Sequence, residues 1–201
     1  GVYVKAINNL FEFTALAYAL SSLGTFMKEH ADAIVADGSK LKAHSNPHGK
    51  KVCNCQENSH CECKRFYNDK EASWGYDSYR DCYVYGYNLY QVNSWSSDNC
   101  RSADQRKNGK AELPVYLMMV TAARQDSVSG MYACQRITKG MGYHIDNGCF
   151  DGAHDATDFY IMARDVWNMK PFIPINSTNE GNIKNLPMSG ITEDGIPICQ
   201  A

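Results

Sequence analysis

The chain has 201 residues, 44% of them hydrophobic and 21% charged, with a formal net charge of −2. That is the size and balance of one globular domain, which excludes a disordered chain and a second full domain. No apolar run reaches the roughly 18 residues of a membrane span. The charge is unevenly divided. Between Lys40 and Arg65 six basic residues face two acidic ones, a local +4, which leaves 14 basic and 20 acidic residues, −6, elsewhere. A basic segment on an acidic domain suits either phosphate binding or a solvated loop.

The first element expected is a helix. Leu10, Phe13, Leu16, Ala17, Leu20 and Leu23 follow helical spacing and predict a core-facing stripe. The uncharged stretch from Phe13 to Met27, with Ala17-Tyr18-Ala19, also resembles the core of a signal peptide. Only Lys5 precedes it and Glu12 interrupts the approach, so the helix is the favoured reading. Residues 1–30 therefore read as a helical leader and 31–201 as the main domain.

Ala33–Ala36 reads as a buried strand that stops at a turn, Asp37-Gly38-Ser39. A polar, basic, cysteine-rich insertion without periodicity follows, at about 43–80. A loop of that length is usually functional or is held by something else. Within it stands C-x-C-x5-C-x-C: Cys53, Cys55, Cys61 and Cys63. Four thiolates this close can converge on one tetrahedral Zn²⁺; two local disulfides or reduced surface thiols are the other readings. Cys82, Cys100, Cys134, Cys149 and Cys199 are scattered and read as small buried residues.

Tyr83–Val92 is β-branched and aromatic and predicts a strand, with Gly86 marking a close approach or bulge. Residues 94–112 read as a hairpin loop and Pro114–Thr121 as the next strand. Asp126–Ser129 offers caps for a helix with Met131, Cys134 and Ile137 on one face, ended by Gly140 and Gly142. Tyr143–Phe150 is a strand running into Asp151-Gly152. A helix from about Ala153 to Asn168 and a strand at Pro171–Ile175 follow, and the tail from Asn176 to Ala201 is loop-like.

This order predicts an α/β domain, a mixed sheet covered by helices. Two carboxylates stand at ends of strands expected to be neighbours, Asp37 and Asp151. Each alone reads as a turn residue; as a pair they offer oxygen ligands for Mg²⁺ or Mn²⁺. His154, one turn past Asp151, reads as a cap or packing residue, and Asp126 as a helix cap.

Several blocks in order resemble one known family. They are Asp37-Gly-Ser-Lys-Leu-Lys-Ala-His44 with Gly49-Lys-Lys-Val-Cys53, then Asp69–Ser78 with Tyr85-Gly-Tyr-Asn-Leu-Tyr90, and Leu113-Pro114. Ala122–Val128, Phe150-Asp-Gly-Ala-His-Asp-Ala156, Trp167, Pro171-Phe-Ile173 and Gly195–Ala201 complete them. Together they resemble the catalytic domain of DDE-type insertion-sequence transposases, over nearly all of residues 33–201. Lys70-Glu71, Gly152 and Pro174-Ile175 depart from the family's usual residues.

The resemblance implies a ribonuclease H-like fold, with the cysteine-rich insertion between its first two strands. It implies that Asp37 and Asp151 hold Mg²⁺ or Mn²⁺ for cleavage and strand transfer of DNA. Lys40, Lys42, Lys50 and Lys51 would contact DNA phosphates, as sequence-independent positioning contacts. The expected partners are transposon ends and target DNA, with a homo-oligomer for the full-length protein and no membrane. The expected location is the cytoplasm of a prokaryote, at the nucleoid. The family's third carboxylate is a Glu on a later helix. Glu180 and Glu193 lie in the tail and Glu71 in the insertion, so none fits. By that comparison the chain is a fragment truncated at its C-terminus, expected to cut DNA poorly as it stands. Three readings compete: a metal-dependent nuclease without strand transfer, a zinc-stabilised nucleic-acid-binding module, and a secreted disulfide-stapled domain.

Overall fold

A computed structural model describes residues 2–21, 33–55, 61–95 and 113–176, and the backbone of 188–191 and 197–199. Helix α1 (Val2–Leu20) leads into strand β1 (Ala33–Lys42). Strands β2 (Ser73–Asp77), β3 (Cys82–Trp95) and β4 (Pro114–Thr121) follow. Helix α2 (Asp126–Gln135) continues through a π turn, Arg136–Gly140, to β5 (Asn147–Phe150). A 3₁₀ turn (Gly152–His154), α3 (Thr157–Asp165) and β6 (Lys170–Phe172) come next. The last elements described are β7 (Met188–Ile191) and β8 (Pro197–Cys199), an antiparallel pair.

The main sheet runs β2-β3-β1-β5-β6, with β4 also on β3. β3 is its spine. One edge pairs antiparallel with all of β1, from Ala33 opposite Trp95 to Lys42 opposite Gly86. The other edge pairs first with β2 and then, from Tyr87 onward, with β4. β5 and β6 add in parallel beyond β1. At Gly86 the two partners change over, and a Cβ there would strike the Leu41 carbonyl and the Ala43 amide. Only glycine lets three strands crowd this point.

The helices pack on one face of the sheet. Ile34, Ala36, Tyr90 and Val92 meet Ala133, Cys134, Ile137, Phe159, Ala163 and Trp167 in a single core. On β1 the alternation is clear: Ile34 and Ala36 are buried while Val35, Asp37 and Ser39 are exposed, as a strand covered on one side requires.

Several expectations need correcting. β1 does not stop before Asp37: it continues to Lys42, so Asp37-Gly38-Ser39 is mid-strand, paired to Gln91, Tyr90 and Leu89. The insertion is not wholly loop, because β2 lies within it. The strand expected at Tyr143–Phe150 is only its last four residues, that at Pro171–Ile175 shifts to Lys170–Phe172, and the tail contains β7 and β8. The expected helix at Ala153–Asn168 divides into a 3₁₀ turn and the shorter α3. The expected hairpin loop lies mostly outside the described residues, as do Leu23, Glu180 and Glu193.

The largest correction is to α1. Its stripe of Leu10, Phe13, Leu16, Ala17 and Leu20 points to solvent, with Phe13 71% exposed. Ala15 and Ala19 are the buried residues, with Tyr18 packed against the core. α1 is apolar on both sides, and polar contacts select the docked one. The Asn8 side chain donates to the Met119 carbonyl and accepts from the Met119 amide, both at 2.7 Å, like a strand pairing the edge of β4. Glu12 bonds the Tyr116 hydroxyl at 2.7 Å and the Arg136 guanidinium. Glu71 accepts the amides of Tyr3 and Val4, satisfying two donors of the helix N-terminus.

Candidate metal centres

The parallel register of β1 and β5 sets Ala36 opposite Phe150. Asp37, within β1, and Asp151, just after β5, are the next residues, so their backbones lie side by side, about 4.8 Å apart. Both line a cleft of about 890 Å³ that also receives Asp126, Asp155, Lys40, Arg80 and Arg124.

The two carboxyls are driven in opposite directions. Desolvation raises Asp37 above its ordinary value, the Gly38 amide opposes this at 2.6 Å, and the charges of Asp151 and Asp126 raise it further. Asp151 is lowered, chiefly by its bond to His154, against desolvation. Paired carboxyls pushed apart in this way are a recurrent property of reactive sites.

His154 explains the second shift. Its side chain is fully buried, with Nδ1 2.6 Å from Asp151 Oδ1 and Nε2 2.8 Å from the Tyr90 hydroxyl. An ionised carboxylate only accepts, so Nδ1 carries the proton. In a neutral imidazole Nε2 then accepts from Tyr90, whose phenol burial pushes upward and keeps protonated. The result is a donor chain from Tyr90 through His154 to Asp151, walled by Phe150 and Phe159. The His-after-Asp spacing was visible in the sequence, but the Tyr90 partner, 64 positions away, was not.

Asp126 is not a cap. Gln125 holds the N-cap position of α2 without a side-chain bond, and Asp126 instead accepts from the Asn88 side chain at 2.5 Å. Its carboxylate fills the space above Gly38, where a Cβ would also come within 2.9 Å of Asn88 Nδ2. Asp126 is thus a third carboxylate in the cleft.

The four lysines have different settings. Lys40 lines the cleft, and Lys42 is exposed at the end of β1. Lys50 pairs its backbone with Phe66, and the Lys51 ammonium bonds the Cys55 carbonyl at 2.6 Å. Lys51 therefore braces the cysteine loop. Arg80 and Arg124, not singled out in the sequence, are the cleft's other cations.

The second centre is that loop. One ligand atom from each of Cys53, Cys55, Cys61 and Cys63 lies within 4.8 Å of every other, the one such group of metal-ligating residues among those described. Cys53 Sγ is 3.4 Å from Cys61 Sγ, and Cys55 Sγ is 3.5 Å from Cys63 Sγ, non-bonded distances, so these are free thiols. The Cys55 amide and Cys61 pull the Cys53 thiol down to about 7. Bonds to Cys55 and Cys53 push Cys63 up to about 12. Metal binding here would displace the thiol protons.

No family model matches this chain, and no curated protein or solved structure matches it either. The functional reading therefore rests on the two centres and the resemblance in sequence. Among the described residues no helix is long and apolar enough to cross a membrane.

Proposed function

We propose that the carboxylate cleft is a divalent-cation site for phosphodiester cleavage and strand transfer in DNA, as in the insertion-sequence transposases that the sequence resembles. The observation that carries this reading is the placement of Asp37 and Asp151 on adjacent parallel strands at one cleft. The strand order, four antiparallel strands (β1 to β4) followed by two that add in parallel with helices between, supports a ribonuclease H-like assignment.

The donor set fits the group. Oxygen-only ligands suit Mg²⁺ or Mn²⁺, and a cation would relieve the repulsion that Asp151 and Asp126 exert on Asp37. When bound, such ions activate a water or 3′-hydroxyl and stabilise the departing oxygen. The chain's own residues do the rest. Asp37 and Asp151 hold the ions, His154 fixes the orientation of Asp151, and Asp126 is a further carboxylate lining the same cleft. Lys40 and Arg124 neutralise phosphates drawn toward a cleft rich in acid, while Arg80 already pairs with Asp77 at its rim, 3.3 Å away. DNA, as element ends and target, is the partner this reading requires.

The cysteine loop is a structural Zn²⁺ site in this proposal. A thiolate set at these separations closes around one ion and holds a segment with little core of its own. That loop also favours a second reading, a zinc-stabilised nucleic-acid-binding module in which the cleft does no chemistry.

Mn²⁺ binding followed by electron paramagnetic resonance separates them. The unmodified chain should bind Mn²⁺, and Asp37→Asn and Asp151→Asn should each weaken it at least tenfold. Nicking of supercoiled DNA in Mg²⁺ or Mn²⁺ should fall in the same variants while DNA binding persists. Unchanged Mn²⁺ affinity in both variants would leave the binding-module reading.

A further inference from the structure

Trp74, on β2, belongs to two hollows at once. One side of it lines the carboxylate cleft. The other walls a second hollow together with Phe66, Tyr67 and the cations Lys64, Arg65 and Lys70. This second hollow takes no part in the chemistry proposed above.

Two of its aromatic side chains are half exposed. Trp74 is 45% exposed and Phe66 49%. Buried Tyr85 supports Trp74 from behind, ring centroids 5.5 Å apart and tilted by 59°. The Lys70 ammonium stands 5.8 Å over the Phe66 ring. The hollow's one carboxylate, Asp69, is already engaged: it accepts from the Tyr87 hydroxyl at 2.6 and 2.7 Å and from the amides of Glu71 and Ala72. Among the described residues Lys64, Arg65 and Lys70 have no ion-pair partner. A half-exposed indole beside cations without ion-pair partners suits a flat base joined to a phosphate.

We propose that this hollow binds unpaired nucleotides of a DNA strand, a base stacking on Trp74 and adjacent phosphates meeting Lys64, Arg65 and Lys70. A half-exposed ring can stack only on a base whose face is free, and a duplex hides those faces. The surface therefore selects single-stranded over paired DNA. Because Trp74 is shared, a strand held there continues into the carboxylate cleft past Arg80. That continuity rests on the function proposed for the cleft; the binding itself does not.

The test is fluorescence anisotropy of a labelled oligothymidylate of 12 nucleotides, titrated with the whole chain without chelator or added divalent ion. A 12-base-pair duplex serves as comparison. The single strand should bind more tightly than the duplex. Trp74→Ala should weaken single-strand binding about 5- to 150-fold, the range of one lost base stack, and Trp74→Phe should restore most of it. Lys64→Gln with Lys70→Gln should lower the slope of log affinity against log salt by about 1.4, near 0.7 per phosphate contact. These lysines are exposed, so the pair carries the test if Trp74→Ala impairs folding. Equal binding of single strand and duplex, with no effect of either aromatic substitution, would overturn the proposal. Mn²⁺ affinity measured separately reports on the cleft, so either idea can fail alone.

Discussion

The chain from Tyr90 through His154 to Asp151 makes a prediction whose sign matters more than its size. In His154→Phe a ring of similar volume sits among Phe150, Phe159 and Tyr90, so little packing is lost. What changes is hydrogen bonding. The Tyr90 hydroxyl, on a side chain with no exposure, loses its partner, at a cost of about 1–3 kcal/mol. Asp151 is half exposed, and water replaces the imidazole there. For a chain of this length the loss lowers the melting temperature by about 2–12 °C. Tyr90→Phe strands Nε2 in the same pocket and should cost a similar amount. The double variant removes donor and acceptor together and should be at least as stable as His154→Phe alone. Urea unfolding of the four proteins measures this. A double variant whose loss equals the sum of the singles within about 0.5 kcal/mol would refute the coupling. His154→Phe should also weaken Mn²⁺ binding about 10- to 100-fold, as loss of an outer partner of a ligand does. The acid side follows from the same bond. Asp151's carboxyl is lowered in the fold, so its contribution is present above the ordinary Asp range and lost as pH falls through the folded value. In His154→Phe that acid-side loss should shrink.

Three further outcomes test other parts of the structure. Burial pushes Glu12 upward, but its bonds from Arg136 and Tyr116 outweigh this and hold it below the usual range. Glu12→Gln should therefore lower the melting temperature at pH 7, and the difference should shrink as the pH falls through Glu12's folded value, with a cost of no more than about 1 kcal/mol because the Arg136 side chain is 42% exposed. Metal analysis of protein purified without chelator should find about one zinc per chain, and Cys55→Ser should lose it; four thiols that alkylate freely without releasing metal would end the zinc reading. Gly38→Ala should displace Asp126 and Asn88, costing about 1–3 kcal/mol and weakening Mn²⁺ binding; unchanged values would mean that Asp126 plays no part in the cleft.

Local pattern determined what local chemistry decides. The runs of Val, Tyr, Leu and Met in β3 and β4 form strands wherever they fall, because their side chains suit a pleated, half-buried surface. The spacing of Cys53, Cys55, Cys61 and Cys63 was readable because ligands eight or ten positions apart need only a short loop to meet. Asp37 and Asp151 were found as acids beside apolar runs. Their adjacency, however, is a property of the parallel register between β1 and β5, across 114 positions.

Long-range contacts decided the rest. α1 is apolar on opposite sides, so periodicity could not choose which side docks; Asn8 on the edge of β4 and Glu12 on Arg136 chose it. β1 outran its apolar start because β3 supplies hydrogen-bond partners as far as Lys42, whatever the side chains there. His154 looked like a packing residue because its meaning lies in Tyr90, on another strand. Lys40 and Lys51 are close in sequence yet serve different ends, since one lines the cleft from β1 and the other braces the cysteine loop. Trp74 gains its place between two hollows only when β2 pairs with β3 and lays the ring on Tyr85. Sequence patterns carry the preferences of single segments, and the partner across each edge is chosen only when the chain closes.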